Sequence, residues 1–346
     1  MNGSPSQERT DYTGLTHALA QVNAQPLWDR FRSLVTREPT PPDEPHIWPW
    51  KSMLPLIERT AREVSMDDAE RRVLLLTNPA FDGMVKTTTN LNAALQILEP
   101  GEHAHEHRHR IAAIRLVLEG NSATTVVDGK HCEMRRGDLV LTPSLCWHGH
   151  YNNGDERVVW LDGLDLPLAL HNLGVVSFQP GPANVDVQAP PADDAFTQGG
   201  ILPQGLSHES PHSPMFRYSW EATKRTFEST PAASDGSKLL RYTNPRDGGA
   251  VMPTLDCYAL ELAAAQETVA RRTTSNAIVA VLDGEGETRI GSKVIRWRRN
   301  DVFTVPHWNW VSHRAEHEGA HLFMMTDREV LARLGYLVEE IRGGEA

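Results

Sequence analysis

Three histidines carry the strongest chemical signal in this 346-residue chain. His107 and His109 stand at i and i+2 in the segment GEHAHEHRHRIAAIRLVLEG, so on a β-strand both imidazoles leave one face and can share a metal ion. A later segment, GDLVLTPSLCWHGHYN, brings a third imidazole, His148, framed by Gly137, Pro143 and Asn152. As an isolated pair, His107 and His109 read as solvated residues of a polar strand. With His148 added, the three read as the ligands of one catalytic metal inside a small β-barrel. Arg115, six residues beyond His109, is expected to point from the same strand face and to clamp a carboxylate through its planar, permanently charged guanidinium. Its plainer role is an ion pair with Asp162 of WLDGLD, and both hold at once if Asp162 orients Arg115. His150 follows His148 by two and faces inward if the strand is regular, as a fourth ligand, a hydrogen-bonding group or a rim histidine. His103, His105, His131, His208 and His212 lie in polar segments and read as solvated, and Trp147 reads as core.

The elements that must position these groups are mostly strands. Residues 1–72 read as an N-terminal arm with helices: THALAQVNAQPLWDRFRSLV is helical, the prolines of REPTPPDEPHIWPW forbid a helix, and residues 51–72 read as one amphipathic helix with Leu54, Leu56 and Ile57 on one side. Residues 73–177 hold short β-rich runs separated by Gly, Asn, Asp and Pro, the texture of antiparallel strands in a barrel or sandwich. Residues 178–240 read as a Pro- and Gly-rich linker with a helix around SWEATKRTFE. Residues 241–346 return to β texture and end in a short helix. IRLVLEGNSATTVVDGKHCEMRRGDLVLTP lies over IVAVLDGEGETRIGSKVIRWRRNDVFTVP, a whole-domain duplication offset by about 164 residues. The positions equivalent to His107, His109 and His148 are Arg271, Thr273 and Val311, so the second copy lacks the metal site, and its His307 and His313 read as isolated remnants.

Composition excludes several partners. A formal net charge of -11 without a Lys/Arg run argues against nucleic acid. No stretch approaches twenty apolar residues and the polar N-terminus is unlike a signal peptide, so a cytoplasmic protein with no membrane partner is expected. Cys132, Cys146 and Cys257 form no paired spacing and read as packing residues.

The two histidine segments resemble the paired motifs of the cupin superfamily, in order and sixteen residues apart between Gly120 and Gly137. Over nearly the whole chain, through PHIWPWKSMLPLIERTAREV, LQILEPGEHAHEHRHRIAAIRLVLEG, WLDGLDLPL, SPMFRYSWE and LRYTNPRDGG, the sequence resembles the gentisate 1,2-dioxygenase-like bicupins, whose members also cleave salicylate, 5-nitrosalicylate and 1-hydroxy-2-naphthoate. The resemblance implies an all-β core of two jelly-roll barrels with an N-terminal helical arm and connecting helices, and an extradiol-type ring-cleaving oxidoreductase. It implies ferrous iron, Fe(2+), as cofactor, an aromatic hydroxy-carboxylate and dioxygen as reactants, and a homo-oligomer, a tetramer in the family. It places Gln96 and Arg71 in the substrate pocket with Arg115, and gives His150 a hydrogen-bonding or acid–base role on the phenolic oxygen.

Departures from the family pattern shape the expectation further. The usual glutamate ligand is replaced by Ala113, which leaves three neutral imidazoles and open coordination positions suited to oxygen chemistry on a chelating anion. The usual WHDH reads WHGH, AGLQ reads AALQ with Ala94, and Asn92 stands where a salicylate-cleaving relative has an aromatic. Loss of a carboxylate at Gly149 is expected to favour an electron-poor ring such as 5-nitrosalicylate over gentisate. Two rival readings stay open: another metal serving isomerase or decarboxylase chemistry, and a non-catalytic small-ligand-binding bicupin.

Overall fold

The computed structural model describes residues 11–181, 190–204 and 210–343. The chain divides into a small unit ending at Thr40 and a large unit from Pro41 onward. In the small unit, α1 (Thr13–Gln21) and α2 (Leu27–Leu34) bury no residue of their own, and Tyr12 meets Trp28 edge to face.

The large unit opens with β1 (Ile47–Trp48) and α3 (Trp50–Glu63). The single helix expected over 51–72 is instead two, because Ser65 caps a separate turn, α4 (Met66–Ala69), by accepting from the Asp68 amide. The buried stripe of α3 also differs from expectation. Ile57 is buried with Met53 and Ala61 beside it, whereas Leu56 is exposed, since i, i+4 and i+8 share a face that i+3 from Met53 leaves.

Nine strands then form the first barrel: β2 (Arg72–Leu76), β3 (Asn92–Leu98), β4 (His103–His109), β5 (Ala113–Glu119), β6 (Ala123–Val127), β7 (Lys130–Met134), β8 (Leu139–Thr142), β9 (His148–Asn152) and β10 (Val158–Leu164). The segment expected to be linker contributes β11 (Phe178–Pro180), β12 (Arg217–Tyr218) and α5 (Trp220–Ser229). Two of its strands complete the first barrel, β11 on β4 and β12 on β8. The sheets run β12-β8-β5-β10-β3-β2 and β11-β4-β9-β6-β7.

The second barrel uses β13 (Lys238–Arg241), β14 (Asp256–Leu262), β15 (Arg271–Thr273), β16 (Ala277–Asp283), β17 (Glu285–Ile290), β18 (Lys293–Arg298), β19 (Val302–Val305), β20 (Val311–Ala315) and β21 (Ala320–Thr326). After α6 (Arg328–Leu334) the chain does not end as a helix but returns as β22 (Glu339–Ile341) on β15. Its sheets run β1-β19-β16-β21-β14-β13 and β18-β17-β20-β15-β22. The fold is thus a bicupin of two jelly rolls.

The six-stranded sheets pack back to back through one apolar cluster, in which Ile114, Leu116 and Leu161 of the first barrel meet Ile278, Ala280, Phe323 and Met325 of the second. The halves also exchange polar links in a pseudo-twofold way. Asp165 takes the Ala112 amide at 2.9 Å and the Thr254 hydroxyl at 2.6 Å, while Asp327 takes the Asn276 amide at 2.7 Å and Asn90 Nδ2 at 2.9 Å. Two motif glycines are sterically required. Gly120 (φ +83°) and Gly137 (φ +85°) have left-handed backbones, and a Cβ would stand 2.4 Å from the Arg157 carbonyl oxygen and 2.5 Å from the Trp220 ring.

The barrel interiors are chemically opposite. On the inward ladder of the first, Arg115 lies opposite Asp162, which lies opposite Ala94. The matching positions of the second are Val279 and Met324, and its interior closes as an apolar cluster of Val279, Val281, Leu260, Phe303 and Trp297. None of these side chains brings a charge to meet an anion.

Candidate active site

β4 and β9 run antiparallel with His107 directly opposite His148. A register shift between Ala104 and His107 breaks the alternation, so His103 and His105 remain exposed while His107 turns in. The ligand atoms of His107, His109 and His148 all lie within 4.8 Å of one another. In each ring Nδ1 faces a backbone carbonyl: His105 O at 3.0 Å, Ile111 O at 2.7 Å and Cys146 O at 2.9 Å for His107, His109 and His148 respectively. A carbonyl only accepts, so Nδ1 of His109 and of His148 carries the proton and Nε2 keeps its lone pair, the tautomer that a metal on Nε2 requires, while His107 Nδ1 has both the carbonyl and an Arg71 donor beside it.

Burial, reinforced by the Arg71 and Arg115 charges, pushes His107 down to about 3 and His109 to about 4. His148 is held well below its usual range by burial and then Arg115. The three rings are therefore neutral donors at physiological pH, and His148 Nε2 is buried with no partner in the protein. The donor set fits a divalent transition metal. Ala113, where the family pattern has a glutamate, is buried and presents only a methyl group.

Arg115 does reach the same pocket, but not from the strand of the histidines. The chain turns at residues 110–112, and Arg115 lies on β5 in the facing sheet. It is fully buried, with Nε 3.4 Å from Asp162 Oδ1, while Nε and Nη1 lack hydrogen-bond partners. Asp162 accepts instead from Trp160 Nε1 at 3.0 Å. Burial raises Asp162 to about 6 against the opposing pull of Arg115. The site is short of negative charge and rich in idle donors.

The remaining expected residues gather here too. Gln96 is buried opposite Trp160 with Nε2 unpartnered. Arg71 packs over the Phe178 ring, 5.7 Å from its centre, with its Nε unpartnered and only a loose 3.8 Å pair to Glu70. Its Nη2 is 2.8 Å from His107 Nδ1. That nitrogen cannot serve both Arg71 and the His105 carbonyl, and the carbonyl is the partner compatible with a metal on Nε2. Arg71 is then free to turn to an anion in the pocket. His150 is buried, with Nδ1 2.8 Å from Thr125 Oγ1 and Nε2 unpartnered.

Several expectations are corrected. Gly149 does not line the pocket: His148 and His150 face inward, so its Cβ would point to the other face, 3.2 Å from Ala104 O and from Glu106 Cγ. A carboxylate there would face Glu106 and the outside. His212 is not solvated but half-buried, with Nδ1 2.8 Å from the Ser213 carbonyl. Trp147 is half-buried under Arg108 rather than core. His307 contacts Asn276 and His313 contacts Thr288, while Arg271 pairs with Val311 as His107 pairs with His148. His208 lies outside the described residues. The sequence reading missed Phe178, Trp160 and Thr125; only Thr125 left a trace, since the repeat carries an equivalent pair, Thr288 and His313.

Comparison with known proteins places this geometry. The cupin domain family matches residues 94–164. Gentisate 1,2-dioxygenase 1 of Aquipseudomonas alcaligenes is 37% identical over 90% of this chain and 91% of its own length. The chain belongs to the gentisate 1,2-dioxygenase-like bicupin family. Within this family of ring-cleaving oxidoreductases, 5-aminosalicylate 1,2-dioxygenase of Comamonas sp is 35% identical over 97% of this chain and 92% of its own. Salicylate 1,2-dioxygenase from Pseudoaminobacter salicylatoxidans, crystallised as an adduct with gentisate, superposes with TM-score 0.90 at 32% identity, covering 98% of this chain and 97% of that one.

Proposed function

We propose that this chain is an Fe(2+)-dependent dioxygenase that opens a 2-hydroxybenzoate ring between the carboxyl-bearing and hydroxyl-bearing carbons. The observation that carries the reading is the convergence of unpartnered buried donors from Arg115, Arg71 and Gln96 on three histidines whose free lone pairs face one point. Unpaired buried polar groups are costly, and an anion bound at a divalent metal satisfies them together.

His107, His109 and His148 hold the metal, which when bound supplies a Lewis-acidic, oxygen-binding centre for the chelating substrate. Arg115, steadied by Asp162, clamps the substrate carboxylate, and Arg71 and Gln96 add donors along it. The carboxylate offsets the guanidiniums of buried Arg115 and half-buried Arg71, whose own acids stand at 3.4 Å (Asp162) and 3.8 Å (Glu70). His150 Nε2 handles the phenolic proton. Trp160, buried beside His150 with ring centres 5.3 Å apart, helps exclude water.

The same pocket narrows the ring. With Gly149 turned away, the electrostatic ground for an electron-poor ring is gone. Asn92 is fully buried on the inward face two residues from Ala94, and its Oδ1 has no partner. A carbonyl acceptor favours a donor-bearing substituent, so gentisate or 5-aminosalicylate is preferred to 5-nitrosalicylate. The functional unit is a homo-oligomer, a tetramer by family likeness. Among the described residues no helix is long and apolar enough to cross a membrane.

Two measurements test this. Protein purified anaerobically contains close to one iron per chain, and oxygen uptake is strongest with gentisate or 5-aminosalicylate in a panel that includes salicylate, 5-nitrosalicylate and 1-hydroxy-2-naphthoate. Oxygen uptake with none of these despite bound iron overturns the reading; manganese or zinc in place of iron with decarboxylation favours its metal-dependent rival.

A further inference from the structure

Both barrels contain a threonine directly opposite a histidine on the neighbouring strand, Thr125 with His150 and Thr288 with His313. In both, the hydroxyl oxygen lies 2.8 Å from the histidine Nδ1. The third member of each cluster differs. In the first barrel Thr125 Oγ1 lies 3.0 Å from Met134 Sδ; in the second Trp297 Nε1 lies 2.9 Å from Thr288 Oγ1. Met134 and Trp297 occupy equivalent strand positions, diagonal to the threonine.

The chemistry of the third residue limits how each cluster is wired. A thioether has no proton and can only accept; an indole N–H can only donate. Trp297 therefore occupies a lone pair of Thr288, whose own proton goes to the remaining acceptor, His313 Nδ1, leaving the His313 proton on Nε2. In the first barrel Met134 can take the Thr125 proton, and Thr125 Oγ1 then accepts from His150 Nδ1–H.

A sulfur is the weaker acceptor, so the surroundings of the other ring nitrogen decide. His150 Nε2 faces a pocket whose unpartnered groups include Arg115 Nε and Nη1 and Gln96 Nε2, all donors, and an N–H turned toward guanidiniums is repelled. At His313, by contrast, burial is what lowers the ring. Both effects at His150 favour the same tautomer.

We propose that Thr125 and Met134 are positioning residues that hold His150 as the Nδ1–H tautomer, so that Nε2 presents a lone pair to the substrate, and that the second barrel is wired in the opposite sense. Resting on the ring-cleavage reading, this makes His150 an acceptor rather than a donor toward the substrate hydroxyl. The substrate hydroxyl donates its hydrogen bond to the Nε2 lone pair while Nδ1–H stays bonded to Thr125 Oγ1, so no bond breaks and His150 stays neutral. A repeat-wide packing role explains the Thr–His pair, but not the replacement of an acceptor by a donor beside it.

The test uses full-length protein loaded with diamagnetic zinc and labelled with 15N-histidine. Nitrogen chemical shifts are expected to show His150 protonated on Nδ1 and bare on Nε2, and His313 the reverse, each ring being assigned by its His→Gln variant. Thr125→Val is expected to scramble the His150 tautomer and lower kcat of the iron enzyme roughly 10- to 100-fold with KM changed less than about threefold, while Thr125→Ser keeps both near wild type. A protonated Nε2 on His150, or a Thr125→Val protein with unchanged tautomer and kcat, overturns the proposal. The nitrogen shifts are read without turnover, so failure of ring cleavage as the function leaves the tautomer result standing, and the two failures are distinguishable.

Discussion

Arg115→Met is the most informative single substitution. The side chain is enclosed, with Nε and Nη1 free to donate and Asp162 3.4 Å away from Nε. If Arg115 clamps a carboxylate, the variant loses a two-pronged, charge-assisted contact in a site of low polarity. Truncating such a buried partner costs about 2–4 kcal/mol, or roughly 30- to 700-fold in kcat/KM, most of it in KM. Stability should fall much less than a broken buried ion pair usually implies. Asp162 stands at about 6 even beside Arg115, and without that cation its carboxyl rises further and stays protonated at neutral pH. Arg115→Lys keeps the charge but not the fork, and roughly a tenfold loss is expected. The assay is steady-state oxygen uptake across substrate concentration, with thermal melts from pH 6 to 8 on the same preparations. An Arg115→Met enzyme with KM within threefold of wild type refutes the clamp. A well-folded variant that has lost its metal would instead make Arg115 a support of the metal site.

Three other outcomes are expected. His107→Ala and His148→Ala should each reduce bound iron well below one per chain, measured by elemental analysis, and abolish turnover; a variant keeping both iron and activity removes the basis for the centre. Gly149→Asp should alter the gentisate to 5-nitrosalicylate ratio of kcat/KM less than twofold, because its side chain would face Glu106 outside the pocket, and should lower the melting temperature through like-charge contact; a reversed preference would mean the carboxylate is felt across the sheet. Asp43 is buried, neither oxygen has a hydrogen-bond partner, and burial raises it to about 6. The folded protein thus holds that proton more tightly than the unfolded chain does, and the stability this contributes at low pH is lost as pH rises from about 4 through 6. Asp43→Asn should therefore be more stable than wild type by about 1–3 kcal/mol at pH 8 and no more stable at pH 4, by denaturant titration. An equal difference at both pH values contradicts the assignment.

Much of the fold was legible in the chain because jelly-roll strands are short, alternate in polarity and are punctuated by glycines that the backbone cannot replace, as at Gly120 and Gly137. The histidines were legible for the same reason: i and i+2 share a strand face whatever the tertiary structure does with it. Arg115 shows the limit of that rule. Its parity with His109 suggested the same strand, yet a turn intervenes and it arrives from the facing sheet, because two sheets closing a barrel aim their inner faces at one centre.

By itself, then, the sequence determined the duplicated β architecture, the three-imidazole set, the missing glutamate at Ala113 and the loss of the site in the second copy, all properties of local spacing or residue type. Tertiary structure alone decided the rest. It turned Gly149 outward between two inward histidines, since alternation assigns a side chain to a face but only the barrel says which face is the pocket. It brought Phe178 and the 217–218 strand from an apparent linker onto the first barrel, through pairings with no local signal. It left the donors of Arg115, Arg71 and Gln96 without partners around His150, because residues distant in sequence meet only when the two sheets close.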